Sequence, residues 1–291
     1  MSGKVCLVTG TSAGIGKATA IGLAKMDATV VAAMRDSEKS KAAYAEIKDK
    51  SGKNESSITF LPVDLSSQAS IRKFAGDFNE KFPRLDVLLN NAGVSQSKRS
   101  LTVDGIETTF AVNVLAPFLL SNLLLAKLKA SAPSRIVNVS SAASDGAKID
   151  FDNLRGEKKF SMFGIYGQSK LALNMITVEF ARRLAGTGVT ANFLHPGVIR
   201  TDLGTRDVNP ILNALAKFVK LFLGSPENGA KTSIYLATSP EVQLVSGKYF
   251  AKSKEKDANP ESFNEVSSKR LWNVCEKMTG LSVSPQKVPV A

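Results

Sequence analysis

Short apolar runs, mostly β-branched, alternate with longer stretches of mixed polarity along most of the chain. Val5-Cys6-Leu7-Val8, Thr29–Met34, Ile58–Leu61, Leu85–Leu89, Arg135–Val139 and Val189–Leu194 each have strand length and end in a polar or glycine-bearing turn. The segment after Gly16, with Ala18, Ala20, Ile21 and Leu23, then 37–50, 68–81 and a stretch opened by Tyr166 and running to about Ala185, read as helices. A last strand is expected at 247–250. Such strands, separated by helix-length segments, predict parallel pairing with both sheet faces covered. The fold class is therefore α/β, a doubly wound, mostly parallel sheet with helices on both faces, in a single domain over 1–291. Two segments stand apart. Residues 112–130 are apolar almost all round, which predicts a central helix or one covered by another subunit. After the break at Asn209-Pro210, residues 211–223 form an amphipathic pattern, with Leu212, Leu215, Phe218, Val219 and Phe222 on one face and Lys217 and Lys220 away from it.

Ligands of a doubly wound sheet sit at the carboxyl ends of its strands, where Gly10, Arg35, Asp64 and Asn90 fall. The first strand runs into Gly10-Thr11-Ser12-Ala13-Gly14-Ile15-Gly16 and then a helix start. Glycines there let the backbone approach an oxyanion, and the unpaired N–H groups of the helix start attract negative charge. The same residues fit G-x-S-x-G, the elbow of a serine nucleophile. That elbow needs earlier strands for its oxyanion hole and a suitably placed histidine after it. This one lies on the first strand, and the single histidine, His195, directly precedes Pro196-Gly197, so a nucleotide cradle is the better reading. Where the second strand ends, an acid would bind the 2′-hydroxyl of NAD and an arginine the 2′-phosphate of NADP. Met34-Arg35-Asp36 places both side by side, and Arg35, helped by Lys17, is read as the phosphate partner.

Composition narrows the classes. Hydrophobic residues make up 43% and charged ones 22%, enough for a sizeable core. A net charge of +12 would suit nucleic acid, but the basic residues are interspersed with acids and form no stripe with aromatics, which excludes that class. Cys6 and Cys275 are too few and too far apart for a disulfide framework, and with one histidine no metal site is expected. Neither a signal peptide nor a spanning apolar run is visible, and the expected location is cytoplasmic.

Tyr166 and Lys170 are spaced i, i+4 and share a helix face. An ammonium beside a phenol favours the phenolate, so the expected Tyr166 pKa is below the usual value of about 10. Taken in order, Thr9-Gly10-x-x-x-Gly14-Ile15-Gly16, Asn90-Asn91-Ala92-Gly93, Asn113, Ser141, Tyr166-x-x-x-Lys170 and Pro196-Gly197 resemble the short-chain dehydrogenase/reductase family. Residues 134–141, Asp152-Asn153-Leu154-Arg155-Gly156-Glu157 and Arg270-Leu271-Trp272 resemble its retinol dehydrogenase-like branch. The resemblance implies a Rossmann-type, NADP(H)-dependent oxidoreductase acting on a carbonyl/alcohol pair of a small lipophilic substrate. It implies that Tyr166 exchanges the proton, Lys170 tunes Tyr166 and meets the nicotinamide ribose, Ser141 (with Ser140 as its rival) holds the reacting oxygen, and Asn113 supports a water relay. For the cofactor it implies binding by Gly10, Ser12, Gly14, Ile15, Gly16, Leu65, Ala92, Gly93, Pro196 and Gly197, with Asp64 at the adenine edge, Asn90 at the ribose and Thr201 at the nicotinamide or phosphate end. Residues 202–224 are expected to be the substrate lid, able to rest on a membrane surface, and the apolar helix at 112–130 to pair in a homo-oligomer. The alternative is a dinucleotide-binding regulatory protein without turnover.

Overall fold

The computed structural model describes residues 1–197 and 225–281, so Thr201 and the expected lid at 202–224 lie outside the described residues. The strands are β1 (Val5–Thr9), β2 (Thr29–Met34), β3 (Ile58–Pro62), β4 (Val87–Asn90), β5 (Ser134–Val139), β6 (Val189–Leu194), β7 (Tyr249–Ala251) and β8 (Lys254–Lys256). They form one sheet in the order β3-β2-β1-β4-β5-β6-β7-β8. Every pairing is parallel except β7 with β8. The helices are α1 (Gly14–Lys25), α2 (Glu38–Ser51), α3 (Gln68–Lys81), α4 (Thr108–Phe110), α5 (Ala116–Leu123), α6 (Leu125–Ala130), α7 (Met162–Arg183), α8 (Pro226–Thr238) and α9 (Glu265–Thr279). No helix among the described residues is long and apolar enough to cross a membrane.

Strand alternation builds two cores, one on each face. Val5 and Leu7 of β1 join Phe74, Phe118, Leu171 and Trp272, whereas Cys6 and Val8 join Leu23, Ile47 and Leu236 on the other side. The expected last strand is displaced to β7 and continues into a hairpin with β8. Its turn holds Lys252 and Ser253 at φ 51° and 59°. Left-handed turn positions usually carry Gly or Asn; here the Ser253 N–H is tied to the Thr232 hydroxyl of α8 at 3.1 Å. The exposed lysines of β8 blunt the sheet edge.

Two expectations are corrected. Ser161 caps α7 by accepting from the Gly164 N–H, so the helix opens at Met162 and Tyr166 sits one turn inside it. Residues 112–130 are not one helix: α4 passes through a π-helical turn at Ala111–Leu115 into α5 and α6. Their apolar girth is met within the chain. Trp272 of α9 packs edge-on against Phe118 of α5 at 4.8 Å and Phe180 of α7 at 4.7 Å. Arg183 covers the indole at 4.1 Å. Arg72 and Gln68 of α3 donate to the Thr279 and Met278 carbonyls at 2.5 Å and 2.9 Å. Among the described residues this segment therefore packs into the core of its own chain.

Candidate active site

At the carboxyl end of β1 the chain turns through Gly10, whose φ of +72° favours glycine. A Cβ there would lie 2.8 Å from the Ala92 Cα, and one on Gly16 would strike the Gly10 carbonyl and the Asn91 amide. Gly14, at φ +57°, has open space where its Cβ would stand. The turn is thus closed against the protein and open outward. Helix α1 begins at Gly14 with Ala13 as its cap and no side-chain cap bond, unlike α2 and α3, which Ser37 and Ser67 cap. Its first N–H groups are left for a ligand. The buried Thr11 hydroxyl beside them has no partner among the described residues. These features fit the diphosphate of a dinucleotide.

The end of β4 is clasped to this turn. The Asn91 amide donates to the Thr9 carbonyl at 2.9 Å, and the Asn91 and Ala92 N–H groups donate to the Thr9 hydroxyl at 3.0 and 3.1 Å. The motif was visible in the sequence, but the clasping role of Asn91 was not. The buried Asn90 amide donates to Asn138 at 2.8 Å and Ser121 at 3.3 Å, so its side chain ties β4 to β5 and α5.

Asn113 lies in the π-helical turn and locks the chain after Gly93. Its amide donates to the Val94 carbonyl at 2.9 Å and to Ser169 at 3.0 Å, and its oxygen accepts from the Val94 N–H at 2.8 Å. Gly93 keeps the space between Asn113 and Lys170 open, since a Cβ there would lie 3.4 Å from one and 3.2 Å from the other. The Lys170 ammonium is buried, donates to the Val139 carbonyl at 2.9 Å and stands 5.8 Å from the centre of the Tyr166 ring. Burial pulls its pKa from 10.5 down to about 8.

Tyr166 behaves differently from expectation. Burial pushes its phenol above the usual value, and the opposing pull comes from a hydrogen bond with Ser141 rather than from the ammonium. Loss of hydration outweighs a charge that sits over the ring and is itself only partly ionised near pH 8. The two candidate serines separate cleanly. Ser140 is buried with its hydroxyl donating to the Lys170 carbonyl at 3.3 Å, whereas half-buried Ser141 lies close enough to the Tyr166 phenol to pull its pKa down.

Arg35 stands exposed just past β2. Lys17 does not reach toward it: its ammonium is paired with Glu46 of α2. Asp64 is exposed and accepts from the Ser66 N–H and hydroxyl at 2.9 and 2.7 Å, with half-buried Leu65 beside it. Past β6, the Gly197 N–H donates to His195 Nδ1 at 3.0 Å, shaping the Pro196-Gly197 turn at a Gly197 φ of +87°. A cleft of about 520 Å³ lies beside the site, between Ala143, Ala147 and Lys148 on one side and Phe163, Ile165 and Gln168 at the start of α7.

A glycine cradle at the end of a parallel sheet, with a serine, a tyrosine and a buried lysine gathered near it, defines a Rossmann-type oxidoreductase site. The short chain dehydrogenase profile matches residues 4–210, and the chain belongs to the short-chain dehydrogenase/reductase family, in its retinol dehydrogenase-like branch. That family of oxidoreductases binds nicotinamide dinucleotides. Retinol dehydrogenase 14 of Homo sapiens is 43% identical over 97% of this chain and 88% of its own length. Retinol dehydrogenase 13 of Homo sapiens is 44% identical over 99% and 88%. Among solved structures, an uncharacterised protein from Mycobacterium paratuberculosis superposes with a TM-score of 0.77 at 29% identity, covering 96% of this chain and 94% of that one. The Pseudomonas aeruginosa RhlG/NADP active-site complex gives 0.67 at 28%, over 86% and 94%.

Proposed function

We propose that the protein is an NADP(H)-dependent enzyme that interconverts the carbonyl and alcohol forms of a lipophilic substrate, retinal/retinol-like or a long-chain aldehyde or ketone. The observation that carries this reading is the placement of Ser141 beside the half-buried Tyr166, with the buried Lys170 near its ring and the open glycine cradle alongside. Arg35 at the end of β2, and structural neighbours solved with NADP and NADPH, support the phosphorylated cofactor. The names of the curated relatives, and a cleft of about 520 Å³ walled in part by Ala143, Ala147, Phe163 and Ile165, support a bulky lipophilic substrate.

In this reading Gly10, Ser12, Gly14, Ile15 and Gly16 hold the diphosphate, Arg35 the 2′-phosphate, Asp64 and Leu65 the adenine, and Ala92, Gly93, Pro196 and Gly197 the nicotinamide half. A bound nicotinamide supplies the hydride. The protein's part is placement and proton transfer. Burial keeps the Tyr166 phenol protonated at neutral pH, the form needed to protonate a carbonyl oxygen during reduction. Ser141 holds that oxygen beside the phenol. Lys170, with a pKa of about 8, can pass a proton on toward the Tyr166 side of the site near neutral pH.

The test is NADPH oxidation across a panel of short and long aldehydes, with Tyr166→Phe as the control. Turnover should fall by about 10² to 10⁴-fold in the variant, the usual contribution of a general acid, with NADPH binding kept. A variant within a few-fold of wild type would sink the assignment. Tight NADPH binding by the wild type without turnover on any aldehyde would identify the regulatory alternative instead.

A further inference from the structure

The loop that follows Ser141 is held from far along the chain by one side chain. Asn259, between β8 and α9, directs its amide nitrogen at three backbone carbonyls of that loop: Ser144 at 3.0 Å, Asp145 at 3.2 Å and Ala147 at 2.9 Å. Its oxygen accepts from the Glu261 N–H at 3.0 Å and starts the 3₁₀ turn Pro260–Phe263. The surroundings fix which end is which, because a flipped amide would set its oxygen against three carbonyl oxygens. Within the loop Ser144 passes the restraint on. Its hydroxyl and its N–H both donate to the Ser141 carbonyl, at 2.7 and 3.0 Å. Ser141 Oγ in turn accepts from the Ala143 N–H at 3.2 Å. The Tyr249 hydroxyl steadies the same segment by donating to Asp145 at 3.3 Å.

We infer that Asn259 is a positioning residue for Ser141: its amide gathers the 144–147 carbonyls and so sets the Ser141 hydroxyl against Tyr166. The inference rests on the proposed role of Ser141 in holding the reacting oxygen. Three carbonyl dipoles converging on one point repel one another without a donor between them. Removing the donor lets the segment relax and carries the Ser141 backbone with it. Among the described contacts Asn259 makes none with the glycine turn, so cofactor affinity should not follow.

Asn259→Asp isolates the donor function, because aspartate is as good a helix-start acceptor as asparagine and keeps the Glu261 cap. It places a carboxylate where three carbonyls expect N–H groups. Asn259→Ser removes the same donors without adding charge. In NADPH-dependent reduction of a long-chain aldehyde, both variants should lose kcat by about 10 to 100-fold, the range expected for a misplaced reacting group. The Kd for NADPH should stay within about twofold and Tm within a few degrees. In the Ser141→Ala background, Asn259→Asp should cost less than about a further twofold, as coupled sites are not additive. Unchanged kcat, a multiplied loss in the double variant, or a kcat loss in both variants matched by falls in NADPH affinity and Tm would overturn the inference. Full turnover by Ser141→Ala alone would instead overturn the proposed role of Ser141.

Discussion

Replacing Lys170 with methionine should make the protein more stable at neutral pH while abolishing turnover. Lys170 is 3% exposed, and burial lowers its pKa from the 10.5 of a free side chain to about 8. Between those two values the unfolded chain binds a proton that the folded chain does not, so folding stability rises with pH across that window. Below pH 8 the whole difference, about 3 kcal/mol at roughly 1.4 kcal/mol per pKa unit, weighs against the folded state. Methionine fills a similar volume without charge. It also leaves the Val139 carbonyl without the donor at 2.9 Å, a loss of about 1 kcal/mol. The net gain is therefore about 2 kcal/mol at pH 7. Urea unfolding of the cofactor-free wild type and Lys170→Met at pH 7, 8, 9 and 10 measures it, and titrations of all other groups cancel in the difference. The variant's advantage should shrink above pH 8 and reverse by about pH 10. A difference that stays constant across the series, or a variant already weaker at pH 7, would refute the reasoning.

Three further outcomes are expected. Arg35→Ala should weaken NADPH binding by about 1.5–3 kcal/mol, the scale of a hydrogen bond to a charged group; calorimetry showing the same loss for NADH would make Arg35 merely structural. Trp272→Ala should lower the stability by about 3–5 kcal/mol, and a shift in the urea midpoint equivalent to less than about 1 kcal/mol would show that α9 is not part of the core. For Asp86, burial alone would raise the carboxyl pKa, but Arg84, the Val5 N–H and Lys4 together outweigh it and hold it below the ordinary carboxylate range. That stabilisation is present above the ordinary carboxylate pKa of about 4 and is lost as pH falls through the lower folded value. Acid titrations of wild type and Asp86→Asn that run parallel would contradict it.

What could be read in advance was local. The runs at Val5–Val8, Thr29–Met34 and Val189–Leu194 coincide with strands because a buried parallel strand has to be apolar on both faces. The glycine turn and Tyr166-x-x-x-Lys170 were legible for a similar reason, since a tight turn and a shared helix face leave a mark within a few residues. Contacts between distant segments leave no such mark. Nothing near Asn259 announces that its amide meets Ser144 across 115 positions. Lys252 and Ser253 turn the last hairpin without glycine, so that turn carried no signal. The apolar girth of 112–130 was visible, but whether another subunit or α9 covered it could not be told from the pattern alone. The Tyr166 pKa was misjudged because the charge four residues away is evident in a sequence and the depth of burial is not.

The docking of α9 also sets when this protein can finish folding. Trp272 closes over Phe118 and Phe180, and the bond from Arg72 to Thr279 spans 207 positions. At the usual pace of synthesis, about 5–20 residues per second, α3 waits roughly 10–40 s on the ribosome for its partner to be made. Until α9 is made, the Phe118–Phe180 pair of α5 and α7 lacks the indole that closes over it. Because β8 ends at Lys256 and α9 opens at Glu265, the sheet and the core are both completed only when the last segments of the chain have been made.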